Sequence, residues 1–263
     1  MDLGLKDRVA LVAASSQGLG KAVALGLARE GCKLALCART AGPLMAATEE
    51  IGVATNVEIL ATTLDVTKEK DVQEFIAKVN ERFGKIDICV TNAGGPPAKP
   101  FDATTMDDWR RAVDLNLMST LLLAHAVLPG MKERRWGRLV TITSLTVKQP
   151  IDGLILSNSV RAAVVGLVKS LSNEYAAHNV LVNNVCPGYT ATDRLGELSS
   201  TLAKSAGVEP SEIEKRWTTQ IPLGRLARPD EFADAVVFLC SDRASYITGQ
   251  SLSIDGGFAK GLL

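Results

Sequence analysis

A strand-like run, Val9 to Ala13, leads into a turn of small residues, Ala14 to Gly20, and then into Ala22, Val23, Leu25, Gly26 and Ala28 at helical spacing. Strand, tight turn and helix in that order make an anion site, because the helix N-terminus offers unpaired N–H groups and the positive end of its dipole. Near the start of an α/β chain, the anion that suits such a turn is the pyrophosphate of a dinucleotide. Gly18 and Gly20 let the backbone approach the phosphates and the helix pack close to the strand, and Ala14, Ser16, Gln17 and Leu19 complete the cradle. About 20 residues past such a turn, an acidic side chain would hold the ribose 2′-hydroxyl. The chain there reads Leu36-Cys37-Ala38-Arg39-Thr40. A guanidinium takes a 2′-phosphate instead, with the Thr40 hydroxyl beside it, so NADP(H) is favoured over NAD(H).

These residues need a scaffold that brings them to one edge. Apolar runs at Val9–Ala13, Lys33–Ala38, Asn56–Leu64, Ile86–Thr91, Arg138–Ser144, Val180–Cys186 and Ser251–Gly257 are expected as strands. Helical stretches alternate with them at Ala41–Ile51, Lys68–Phe83, Met106–Met131, Ser159–Ala177 and Asp230–Cys240. Gly31 and Gly84 stop the helices before them. The alternation predicts an α/β fold: a single domain over 1–263, Rossmann-type, with a doubly wound parallel sheet of about seven strands and helices on both faces. Asp65, Asn92, Ser144 and Pro187-Gly188 then fall at carboxyl ends of strands, where ligands of such sheets bind. Thr190–Ser211 is polar, rich in small residues and poorly patterned. It is expected as a mobile loop with short helices and, through Leu195, Leu198 and Leu202, as a lid over substrate.

Bulk properties exclude several partners. With 29 basic and 29 acidic side chains the net charge is +0, which argues against nucleic acid. No uninterrupted apolar run approaches a membrane span, and Met1–Arg8 lacks the layout of a signal peptide. Cys32, Cys37, Cys89, Cys186 and Cys240 are scattered among apolar neighbours, which predicts free buried thiols in a reducing, cytoplasmic setting and no metal site.

Several short motifs occur together and in order: Ala14-x-x-x-Gly18-x-Gly20, Asp65-Val66, Asn92-Ala93-Gly94 after Thr91, Asn116 within Asp114-Leu115-Asn116-Leu117, Ser144, Pro187-Gly188 followed by Thr190 and Thr192, and Asp255-Gly256-Gly257. In combination they resemble the short-chain dehydrogenases/reductases, most of all the 3-oxoacyl-carrier-protein reductase-like members. The resemblance implies adenine contacts at Asp65 and Val66. It implies further cofactor contacts at Asn92, Ala93, Gly94, Pro187, Gly188, Thr190 and Thr192. It implies a catalytic serine at Ser144 and a helix asparagine at Asn116. It also implies NADP(H)-dependent reduction of a small-molecule carbonyl to an alcohol, with a 3-oxoacyl thioester as the suggested substrate. A homotetramer built on Met106–Met131 and Ser159–Ala177 is implied as well.

The chain departs from the family where the chemistry is done. The family's Tyr-x-x-x-Lys falls on Ser157 and Arg161, and no tyrosine lies between Ser144 and Lys169. A phenol of pKa about 10 can be tuned toward neutrality by a nearby cation. A serine hydroxyl is a far weaker acid. Arg161 keeps its charge and its donors and can hold the nicotinamide ribose, but it cannot shed a proton. Ser144 and Ser157 can still orient a substrate oxygen, with water or Tyr189 as the proton source. Packing over the nicotinamide is the preferred role for Tyr189. A dinucleotide-binding sensor or partner protein without useful turnover is the alternative, and elimination or isomerisation on the same fold is a third possibility.

Overall fold

The computed structural model describes residues 1–262. Seven strands, β1 (Val9–Ala13), β2 (Lys33–Ala38), β3 (Ile59–Thr63), β4 (Ile88–Thr91), β5 (Gly137–Ile142), β6 (Val180–Pro187) and β7 (Ser251–Ile254), form one parallel sheet in the order β3-β2-β1-β4-β5-β6-β7. The order reverses between β1 and β4, and a crevice opens there at the carboxyl edge. Strands β1, β4 and β5 are buried along their whole length, as sheets covered on both faces require.

Helices cover both faces of the sheet. On one face, α1 (Gly18–Arg29), α2 (Ala41–Thr55) and α9 (Pro229–Cys240) enclose a core that includes Val12, Leu27, Leu36, Leu44 and Phe232. Helices α1 and α9 pack closely because Gly26 has no side chain; a Cβ there would lie 2.9 Å from Val237 Cγ2. On the other face, α3 (Glu69–Phe83), α5 (Ser119–Glu133) and α6 (Ile155–Tyr175) enclose Leu11, Phe75, Leu123, Val164 and Val182.

Several elements differ from the sequence expectation. Helix α2 runs on to Thr55, and Asn56 ends it in the left-handed region (φ 56°), so the third strand starts at Ile59 rather than Asn56. Helix α6 starts at Ile155 rather than Ser159, since Asn158 donates to the Ile151 carbonyl and ties the incoming loop to its first turn. The stretch Met106–Glu133 is continuous but not regular: α4 (Met106–Val113) joins α5 through a π-turn at Asp114–Met118. By length and composition this helix could cross a membrane, yet its apolar side lies on the sheet with Leu123, Val127, Leu128 and Met131 buried. The expected loop at 190–211 is mostly one helix, α7 (Asp193–Ala206), followed by α8 (Pro210–Gln220). Leu195, Leu198 and Leu202 pack against Ile213 and Trp217, so the leucine spacing is that of a helix seated on α8. The last strand stops at Ile254, because Gly256 and Gly257 turn the chain at φ 64° and 85°.

Candidate active site

A cleft of about 430 Å³ runs along the carboxyl ends of β1, β2, β4, β5 and β6, under the start of α7. Its first end is built from backbone. Helix α1 begins at Gly18 with no side chain capping its first turn, so its N–H groups are free for an anion. Gly18 has φ 56°. A Cβ on Gly20 would run into the Ala14 carbonyl oxygen and come within 3.0 Å of Asn92 Nδ2. Ala14 itself sits at φ 49°, a left-handed conformation that an L side chain adopts at a cost. Ala14, Ser16, Gln17, Gly18 and Leu19 line the cleft, as expected, and Gly20 lies beneath them. Thr192 closes this end from above: its hydroxyl accepts from Leu195 N (3.3 Å) to cap α7, and its methyl faces Gly18.

The adenosine side of the cleft holds Arg39, Thr40 and Val66, together with Pro43 and Leu64, which the motifs did not flag. Arg39 is exposed and, among the described residues, forms no ion pair, so its guanidinium is available to a phosphate. Asp65 does not line the cleft. Its carboxylate accepts from Thr67 N (3.0 Å) and Thr67 Oγ1 (2.9 Å), which fixes the turn that presents Val66. These features fit a dinucleotide: a glycine cradle that a Cβ would fill, an uncapped helix N-terminus, and an unpaired cation at the ribose end.

The other end is built from side chains. Ser144 lies two residues past the end of β5, and its hydroxyl accepts from Thr146 N (3.2 Å). Ser157 and Arg161 stand one turn apart on α6 and share a face. Ser157 Oγ and Thr146 Oγ1 are 3.2 Å apart and hydrogen bonded, and both are buried. Arg161 Nη1 donates to the carbonyls of Thr143 (2.7 Å) and Ile142 (3.2 Å). Burial pushes the Arg161 guanidinium down to about 10, which still leaves it charged at neutral pH. Asn92, Ala93, Gly94 and Pro187 line this part, along with Asp193, Arg194 and Leu198 from α7.

Asn116, Gly188 and Thr190 also stand back from the cleft. Asn116 lies in the π-turn and donates to the Gly94 carbonyl (3.1 Å), while its buried Oδ1 has no partner. It positions the Asn92–Gly94 loop, and π-turns recur at functional sites for this kind of reason. Gly188 is required where β6 meets the end of β7, because a Cβ would come within 2.6 Å of Asp255 Cα. Thr190 is buried and bridges to Ala227.

Tyr189, expected as a packing residue over the nicotinamide or as a proton source, does not line the cleft. It stacks on Trp217 (centroids 4.8 Å, 14°) and meets Phe258 edge-on at 5.3 Å, in a separate cavity with Gln149 and Asp152. Burial raises its pKa, which makes it a poorer acid still. Sequence reasoning missed Thr146 and Arg194. The first had no motif, whereas the second follows the Thr192 cap and could have been placed from the leucine spacing.

A carboxyl-edge cleft at the strand-order reversal, with a phosphate cradle at one end and hydroxyls at the other, places the chain among the NAD(P)-dependent oxidoreductases. A family model described as enoyl-(acyl carrier protein) reductase matches residues 13–259. The 3-oxoacyl-[acyl-carrier-protein] reductase of Aquifex aeolicus is 34% identical over 257 residues, covering 98% of this chain and 99% of that protein. The acetoacetyl-CoA reductase of Shinella zoogloeoides is 36% identical over 254 residues, covering 95% and 98%. The crystal structure of L-sorbose reductase from Gluconobacter frateurii, complexed with NADPH and L-sorbose, superposes with a TM-score of 0.94 at 31% identity, over 100% of both chains. The chain belongs to the short-chain dehydrogenase/reductase family.

Proposed function

We propose that the protein is an NADPH-dependent reductase that converts the ketone of a 3-oxoacyl compound to a secondary alcohol. The observation that carries this is the cleft itself, with an intact phosphate cradle and Arg39 at one end and Ser144, Ser157 and Arg161 at the other. Relatives that reduce 3-oxoacyl substrates by name, and a structural neighbour holding NADPH, support the same reading. A nicotinamide bound in the cleft supplies hydride. The chain's own residues then do the rest. Gly18, Leu19 and the α1 N-terminus hold the pyrophosphate. Arg39 and Thr40 hold the 2′-phosphate. Arg161 keeps a fixed positive charge at the reaction end, where it favours a negatively charged group of the substrate. Ser144 and Ser157 orient that oxygen, and water delivers the proton. The start of α7, with Asp193, Arg194 and Leu198 on the cleft, serves as the substrate lid.

The lost tyrosine supports a second reading, a dinucleotide-binding protein disarmed for turnover. NADPH consumption over a panel of ketones and 3-oxoacyl thioesters decides between them, with wild type beside a Ser157→Tyr/Arg161→Lys variant. Turnover by wild type sustains the reductase. Turnover by the double variant alone, higher by about 10²-fold or more as expected for an installed general acid, sustains the disarmed protein. Net conversion of substrate with no change in cofactor sustains non-redox chemistry.

The assembly is proposed as a cytoplasmic homotetramer. Its support is the outward apolar surface of α4 and α6, with Met106 68% exposed and Trp109, Val113 and Ile155 only partly covered, and five free buried cysteines. Light scattering that finds a stable monomer at micromolar concentration overturns it.

A further inference from the structure

At the reaction end of the cleft, Arg161 carries a positive charge that no carboxylate among the described residues meets, although the whole chain is neutral. Arg161 is 7% exposed and lines the cleft. Among the described residues its protein partners are the two backbone carbonyls on Nη1, and Nε and Nη2 have none. Among the described residues no carboxylate pairs with it. A buried cation is costly unless a counter-charge and hydrogen bonds meet it. Arg194 adds a second cation to the same cleft, reaching from the first turn of α7 to the Pro96 carbonyl (3.3 Å) and to exposed Glu197 (3.3 Å). Asp193 is the one carboxylate on the cleft, and it pairs with neither arginine. The pyrophosphate and the 2′-phosphate are met at the other end by the α1 N-terminus and Arg39, so they leave this charge unanswered.

We propose that Arg161, with its free guanidinium nitrogens open to the cleft beside Ser144 and Ser157, binds a carboxylate of the substrate, which is therefore a 3-oxo acid with a free carboxyl group rather than its thioester. The inference rests on the reductase reading above and sharpens its substrate. A planar guanidinium matches a carboxylate with two parallel hydrogen bonds, whereas a thioester offers it one neutral carbonyl. In the reaction the ketone carbon gains hydride from NADPH. The carbonyl π pair moves onto oxygen, and that oxygen takes one proton from water. A 3-oxo acid anion, NADPH and a proton thus become a 3-hydroxy acid anion and NADP⁺. The carboxylate stays ionised on Arg161 throughout.

The test is calorimetric titration of 3-oxobutanoate, its methyl ester and its N-acetylcysteamine thioester into the full chain, with and without NADP⁺, so that no turnover occurs. The free acid is expected to bind at least about tenfold tighter than either neutral form, a difference of about 1.4 kcal/mol. Arg161→Gln erases that preference, Arg161→Lys keeps part of it, and Arg194→Gln weakens it. Equal binding of the three, tighter binding of the ester or thioester, or no binding of the acid overturns the inference. If Arg161→Gln does not fold, the three-ligand comparison on wild type and Arg194→Gln still decides. An NADPH titration in parallel separates the two claims. Absence of NADPH binding defeats the reductase reading, while NADPH binding without preference for the acid defeats only the carboxylate site.

Discussion

The two ends of the cleft are made of different material. At the phosphate end the binding groups are main-chain N–H groups, held by a turn that tolerates no side chain at Gly20. At the reaction end they are side chains, the hydroxyls of Ser144, Thr146 and Ser157 and the guanidinium of Arg161, drawn from β5, the loop after it and α6. A backbone site survives most changes of residue type, because what it offers is the path of the chain. A side-chain site changes its chemistry with a single substitution. The same fold can therefore keep its cofactor site and vary its chemistry, and Ser157 and Arg161 are the positions where this chain departs from the family motif.

The largest effect of a single methyl belongs to the phosphate end. Gly20→Ala pushes the Ala14 carbonyl and Asn92 out of place, and NADPH affinity measured by fluorescence titration is expected to fall about 100-fold, near 3 kcal/mol. Normal affinity in this variant would break the comparison. Arg39→Ala removes one charge-assisted contact and leaves the cradle intact. The preference for NADPH over NADH should drop by about tenfold, with NADH affinity unchanged.

The pH response sharpens the other end. Burial lowers the Arg161 guanidinium only to about 10, so it stays charged across the range in which a substrate carboxylate is ionised. Binding of 3-oxobutanoate is therefore expected to stay level from about pH 6 to 9, measured by the same calorimetry. A fall centred near neutrality would assign the anion to another group. The smallest effect is a gain. Ala14→Gly relieves the φ of 49° and is expected to raise stability by about 0.5–1 kcal/mol, read as an upward shift in Tm, with cofactor affinity unchanged.

Much of this was legible in the residues. The seven strands fall close to their expected places, since apolar runs and glycine stops are local signals. Most of the expected cofactor residues do line one cleft. The errors have local causes too. Asn56 looked like strand and is a left-handed helix end, and the leucines at 195, 198 and 202 already carried the helical period that the small polar residues around them obscured. Tyr189 stands outside the cleft for another reason. Its position next to Pro187-Gly188 says where the backbone goes, and the direction of its ring is set by Trp217 and Phe258, far along the chain.

By itself, then, the sequence determined the sheet, the phosphate turn, the arginine that follows β2 and the absence of a tyrosine after Ser144, because each depends on residues within one or two turns of each other. Only the tertiary structure decided what the reaction end is. The partnership of Thr146 with Ser157, the two carbonyls under Arg161, the reach of Arg194 to Pro96 and the lack of any carboxylate against Arg161 join elements distant in sequence. Whether a buried charge is balanced depends on every group packed around it, and that is a property of the folded chain.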